Sequence, residues 1–167
     1  MATKILFFDD EKTIAETLKK NLELFDFDVT LVSTISEFFA EINKTNVTYD
    51  LLLMDIMAPL PSKEEIKWFT EEEINHMSQG SNTGVVLIDI IRGFSNEEIV
   101  SMNLGYNVGE VLTNKVRGTN KYSNIPVLFY TAKNSVKQFA NAKLITKPAL
   151  AKDIVEEIKA LLEGGEQ

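Results

Sequence analysis

A chain of 167 residues, 44% hydrophobic and 25% charged, can bury a core as one domain without disulfide or metal staples. Its formal charge of -8 argues against attraction to nucleic acid or an anionic membrane, since both want a basic face. The absence of cysteine excludes a disulfide framework and thiolate metal sites, and no apolar run approaches the ~18 residues of a membrane span. With no charged-then-apolar leader either, a cytoplasmic protein is expected.

Lys4 to Phe8 is a continuous apolar strand that ends in acid, at Asp9, Asp10 and Glu11. A helix follows, with Ile14, Leu18, Leu22 and Phe25 as its apolar stripe and Asp10 as its expected N-cap. Phe27 to Val32 reads as a second strand. Thr34-Ile35-Ser36-Glu37 is a capping box opening a helix with Ile35, Phe38, Phe39 and Ile42 on one face. Leu51 to Met54 is a third strand, apolar throughout as in the middle of a parallel sheet, and it delivers Asp55 to the rim where open α/β sheets bind their ligands. The order β-α-β-α-β implies parallel strands joined by right-handed crossovers.

The interval from Asp55 to Thr131 is more than twice the about 30 residues of a whole βαβ unit, so it contains an insertion, about residues 60–123. Three capping boxes, beginning at Ser62, Thr70 and Ser95, make that insertion largely helical, and Gly80, Gly93 and Gly105 fall where helices could stop. The similar segments 82–93 and 107–118 offer two candidates for the crossover helix on the sheet. The apolar 84–92 suits a helix covered on both sides and is favoured; 109–117, amphipathic and nearer the next strand, stays open. His76, the only histidine, reads as a surface residue; Ile66, Trp68 and Phe69 read as core, with a partner patch as the alternative.

Ile125 to Tyr130 is a fourth strand ending at Thr131-Ala132. A short helix is expected at about Asn134 to Asn141, then a fifth strand from Lys143 to Thr146 ending at Lys147-Pro148. The last helix carries Leu150, Ile154, Ile158 and Leu161 on one face and stops at Gly164-Gly165. The whole reads as one domain, 1–167, an α/β doubly wound five-stranded parallel sheet of order 2-1-3-4-5 (flavodoxin-like) with its insertion between strands 3 and 4.

In such a sheet the ends of strands 1, 3, 4 and 5 converge, which assembles Asp9, Asp10, Asp55, Thr131 and Lys147 on one rim. Three carboxylates in one pocket repel and raise each other's pKa. A hard divalent cation removes that conflict, and Mg²⁺ favours a few carboxylates, a carbonyl, waters and a phosphate oxygen. Phosphoryl transfer needs positioning and neutralised charge, which a carboxylate nucleophile, a metal, a lysine and a hydroxyl can supply.

At two stretches the sequence resembles the receiver domain of two-component response regulators, over roughly residues 3–57 and 124–162. Ile5 to Glu11 is similar to that family's acidic first-strand motif, and Leu53-Met54-Asp55-Ile56-Met57-Ala58-Pro59 to its phospho-acceptor motif, with Ala58 where Met is usual. Thr131-Ala132 resembles the switch-hydroxyl pair, and Lys147-Pro148 the lysine and the proline that often follows a cis bond. The resemblance implies a stand-alone receiver whose Asp55 takes a phosphoryl group from a histidine kinase or histidine phosphotransfer protein. It also implies Mg²⁺ held by Asp10, Asp55, the Met57 carbonyl and, through water, Asp9, with Thr131 and Lys147 on the phosphoryl oxygens. Activity beyond self-phosphorylation and autodephosphorylation at Asp55 is not implied. Output would pass through protein contacts, to a downstream partner or a second copy.

Three departures bear on that output. Leu144 stands where the switch aromatic is usual, the stretch from Thr131 to Lys147 looks several residues short, and the insertion follows Asp55 closely. Two rival readings are a pseudo-receiver that binds partners without phosphorylation and a haloacid-dehalogenase-type phosphatase with Asp9 as nucleophile. For the second, Asp9-Asp10-Glu11-Lys12-Thr13 is a near miss to D-x-D-x-T, and Asp55 is left without a role.

Overall fold

A computed structural model describes residues 1–78, 93, 95–101, 105–133 and 138–164. Five strands, β1 (Thr3–Phe8), β2 (Phe27–Val32), β3 (Leu51–Met54), β4 (Val127–Thr131) and β5 (Ala142–Thr146), form one sheet of order β2-β1-β3-β4-β5. Every pairing is parallel, with Phe8 beside Val32 on one side and Met54 on the other, and Thr131 beside Thr146. The expected topology holds.

Both faces of the sheet are covered, and the two-residue period of the strands sorts their side chains between them. Ile5, Phe7, Leu51, Leu53, Leu128 and Tyr130 meet α1 (Lys12–Glu23) and α6 (Ala151–Gly164). Leu6, Phe8, Leu52, Met54, Val127 and Phe129 face α2 (Ile35–Ile42), α3 (Glu71–Met77) and α5 (Val108–Arg117). Two stripes sit differently from the pattern read in sequence. In α1 the buried residues are Ala15, Leu18 and Leu22, while Ile14 and Phe25 are exposed. In α6 Ile154, Val155, Ile158 and Leu161 are buried, and Leu150 lies exposed before the helix.

The helix against β3 and β4 is α5, whose Val108, Val111, Leu112 and Val116 are buried there, so the second of the two similar segments fills the role for which the first was favoured. Segment 84–92, like Gly80, lies outside the described residues. Gly105 and Gly109 are points of contact with the loop after β3. A Cβ at Gly105 would come 1.5 Å from the Ala58 carbonyl oxygen, and one at Gly109 would come 2.1 Å from that of Asp55. The Gly109 N–H donates to the Ile56 carbonyl at 3.1 Å. Only glycine permits so close an approach of backbones.

Between β3 and α5 stand a 3-10 turn (Ile66–Trp68), α3 and α4 (Asn96–Ser101). The Thr70 capping box forms completely, and the Ser95 hydroxyl accepts from Glu98 N while Glu98 receives Ser95 N. Ile66 and Phe69 are core, whereas Trp68 is 41% exposed and edge-on to Phe39. The helix expected at 134–141 is not found in its second half: 138–141 run as coil and turn, Phe139 packing on Phe129, and 134–137 lie outside the described residues.

Candidate functional site

The acidic residues after β1 and β3 are fixed by continuing the strand ladders one step. Asp9 N donates to Val32 O at 3.1 Å and Asp55 N to Phe8 O at 2.9 Å. On the far side Lys147 N donates to Thr131 O at 2.8 Å, which sets the lysine level with the end of β4. The Lys147-Pro148 peptide is cis. Asp10 does not cap α1: Glu11 occupies that position without a side-chain bond, and the Asp9 carboxylate accepts from Glu11 N at 2.9 Å instead. With that duty removed, Asp10 keeps its carboxylate in the cluster.

Carboxylate oxygens of Asp9, Asp10 and Asp55 lie within 4.8 Å of one another. Asp9 and Asp55 are buried, and Asp10 is half-buried. Lys147 Nζ bridges the first and third, 2.7 Å from Asp9 Oδ2 and 2.9 Å from Asp55 Oδ2. Asp55 Oδ1 accepts from Met57 N at 3.1 Å, a bond that folds the loop back over the strand end. Thr131 is fully buried at the tip of β4, with its hydroxyl accepting from Lys133 N at 3.4 Å.

Electrostatics follow from this crowding. Burial, then the charges of Asp55 and Asp9, push the Asp10 carboxyl up to about 6. Burial also raises Asp55, and Lys147 and Thr131 only partly offset it, because the ammonium is shared with Asp9. Burial works against the Lys147 charge, but the carboxylates of Asp55 and Asp9 hold the ammonium above its ordinary value. The donor set is all hard oxygen with excess negative charge, which fits a small divalent cation and no soft metal.

Next to this cluster stand residues that the pattern of the sequence did not single out. Glu110 and Asn107, at the start of α5, are 1% and 4% exposed. Glu110 Oε2 lies 3.3 Å from His76 Nε2 and 4.0 Å from Lys133 Nζ. The Asn107 amide joins the same group, donating to His76 O at 2.8 Å and accepting from Lys133 Nζ. His76 is therefore paired with a buried acid. Polar residues at the N-cap (Asn107) and third position (Glu110) of an otherwise apolar-faced helix were the signal available.

No protein-family model matches the chain, and no curated protein matches it in sequence. Solved structures do. A CheY-like response regulator receiver domain protein from Methanospirillum hungatei shares 20% identity, with 99% of this chain and 98% of that chain covered at a TM-score of 0.60. The non-phosphorylated HemR receiver domain from Leptospira biflexa gives 20%, 96%, 94% and 0.57. The receiver domain of the hybrid histidine kinase CckA gives 18%, 95%, 98% and 0.57. At such identity the likeness is one of fold, and the fold is that of CheY-like receiver domains.

Proposed function

We propose that this chain is a phospho-acceptor receiver of a two-component relay, with Asp55 as its acceptor. The observation that carries the reading is the meeting of Asp55 with Asp9, Asp10, Thr131 and Lys147 at the C-terminal edge of a receiver-type sheet. In the transfer, an Asp55 oxygen bonds to phosphorus as the donor's phosphorus–nitrogen bond breaks, and the electron pair leaves with the donor histidine's imidazole. Asp9, Asp10, Asp55 and the Met57 carbonyl are the groups that would hold Mg²⁺. The ion would neutralise charge on the phosphoryl oxygens. Lys147, which bridges Asp9 and Asp55, supplies a second positive charge, and Thr131 a hydroxyl donor. The donor is a histidine kinase or a histidine phosphotransfer protein, and the output is a protein contact.

Intact mass after incubation with acetyl phosphate and Mg²⁺ tests the reading. Wild type should gain one phosphoryl group, about 80 Da, and Asp55→Asn none. Label retained in that variant and mapped to Asp9 would replace the reading with the phosphatase one. Folded protein that takes no label from acetyl phosphate or a phosphorylated donor would leave a pseudo-receiver.

A further inference from the structure

The acceptor loops are gripped by a helix pair. Gly105 and Gly109 press against the backbone of Asp55 and Ala58, on the loop after β3. Asn107 and Glu110, from the same turn of α5, hold the ammonium of Lys133, on the loop after β4. Lys133 lies two residues beyond Thr131, and its own N–H is directed at the Thr131 hydroxyl. The other side of Asn107 and Glu110 is α3: Tyr106 N and Asn107 N both donate to Met77 O, and His76 meets Glu110. One buried carboxylate thus stands between a cation on the Thr131 loop and an imidazole on α3.

We infer that Asn107 and Glu110 form a polar relay, holding the Thr131 loop through Lys133 and transmitting its position to α3 through His76. Glu110 is a positioning residue in this scheme and touches no reacting atom. The inference rests on the acceptor reading above. The physical reason is the cost of leaving a buried charge without its partner. Glu110 is 1% exposed, so a shift of Lys133 with the Thr131 loop changes the pairing of a buried carboxylate that also meets His76. The Thr131 hydroxyl already serves the Asp55 carboxyl, so a phosphoryl group there changes what that hydroxyl bonds, and Lys133, whose N–H rests on the same oxygen, moves with the loop. The route leads into α3, which follows Asp55 in the chain. It does not require an aromatic ring at Leu144.

Because His76 is the only histidine, its imidazole C–H signals are a single, unambiguous proton-NMR probe of the relay. The full chain is saturated with Mg²⁺ and beryllofluoride, an acyl-phosphate mimic. Bound-fluorine NMR signals report occupancy of Asp55, and hydrogen exchange reports protection over 71–77. In wild type, occupancy should shift the His76 signals and change protection over 71–77 about fivefold or more, the lower end of ordinary coupling between sites. Glu110→Gln and Lys133→Met should bind beryllofluoride yet lose most of that response. The second variant leaves the buried carboxylate in place, so the test does not depend on Glu110→Gln folding well. Bound beryllofluoride with 71–77 and His76 unmoved in wild type would overturn the relay, as would an undiminished response in Lys133→Met. Absence of any bound-fluorine signal from wild type would instead overturn the acceptor reading, and the relay with it.

Discussion

Lys147 shows how one side chain settles the charge of the site. Its ammonium already bridges Asp9 and Asp55, occupying the oxygens a metal would use. Lys147→Ala should therefore keep or strengthen Mg²⁺ affinity by calorimetry while slowing phosphorylation of Asp55; a large loss of affinity would show that the lysine builds the metal site. Asp10 gives the pH dependence. Its carboxyl ionises at about 6 in the folded chain against an ordinary 3.8, so between those values the folded state holds the extra proton. That proton favours the fold at low pH, and the advantage is lost as pH rises through about 6. Metal needs the ionised form, so Mg²⁺ affinity should drop roughly tenfold from pH 7.5 to pH 5, and Asp10→Asn should flatten the profile while weakening binding throughout. Of the residues concerned, the strand-end acids, Thr131 and Lys147 were legible in the sequence because an apolar run ending in a polar residue marks a strand tip. The Asp10 cap was misread because α1 begins one residue later, with Glu11 at the cap position and the Asp9 carboxylate taking the Glu11 N–H. Lys133 and Glu110 were not legible, as their pairing depends on how α5 is seated.

The strands were readable from apolar runs and the outer helices from spacing and caps, and β3 shows why. Leu51 to Met54 are all 0% exposed, buried on both faces, which is what an uninterrupted apolar run encodes. Leu53→Ala should cost about 2–5 kcal/mol in denaturant unfolding without shifting the register of Asp55. The crossover helix was misassigned for a complementary reason. An apolar composition says that a segment is covered, not by what, whereas the half-apolar face of α5 is the one that matches the sheet. Its glycines carried a second clue. Gly109→Ala would drive a methyl group into the Asp55 carbonyl, so a destabilisation of about 1–3 kcal/mol is expected, with a melting temperature lower by roughly 2–4 °C per kcal/mol. A wild-type melting temperature in that variant would mean the contact relaxes freely. At α1 and α6 the error was one of phase: Ile14, Phe25 and Leu150 fit a stripe by spacing but sit where the helices begin or end, beyond the reach of the sheet.

At the scale of the molecule, the excess of acid acts as a field. A formal charge of -8, with three carboxylates collected at one rim, draws divalent cations toward the site and is screened by salt. Raising NaCl from about 50 to about 500 mM should weaken Mg²⁺ binding several-fold, since the screening length shrinks from above 10 Å toward 3 Å; salt-independent binding would place the effect in contact geometry alone. The seating of α5 carries a different lesson, about modularity. By length, residues 60–123 look like a cassette, removable at its two seams. But Val108, Val111, Leu112 and Val116 are the lid over β3 and β4, and Ile74 and Met77 close the same layer. Excising 60–123 would strip one side of the sheet and unfasten the loop that carries Asp55. Such a shortened chain should lack a cooperative thermal transition by circular dichroism. Residues 60–123 are architecture for the acceptor loop, and what can be trimmed is smaller than the interval between the seams.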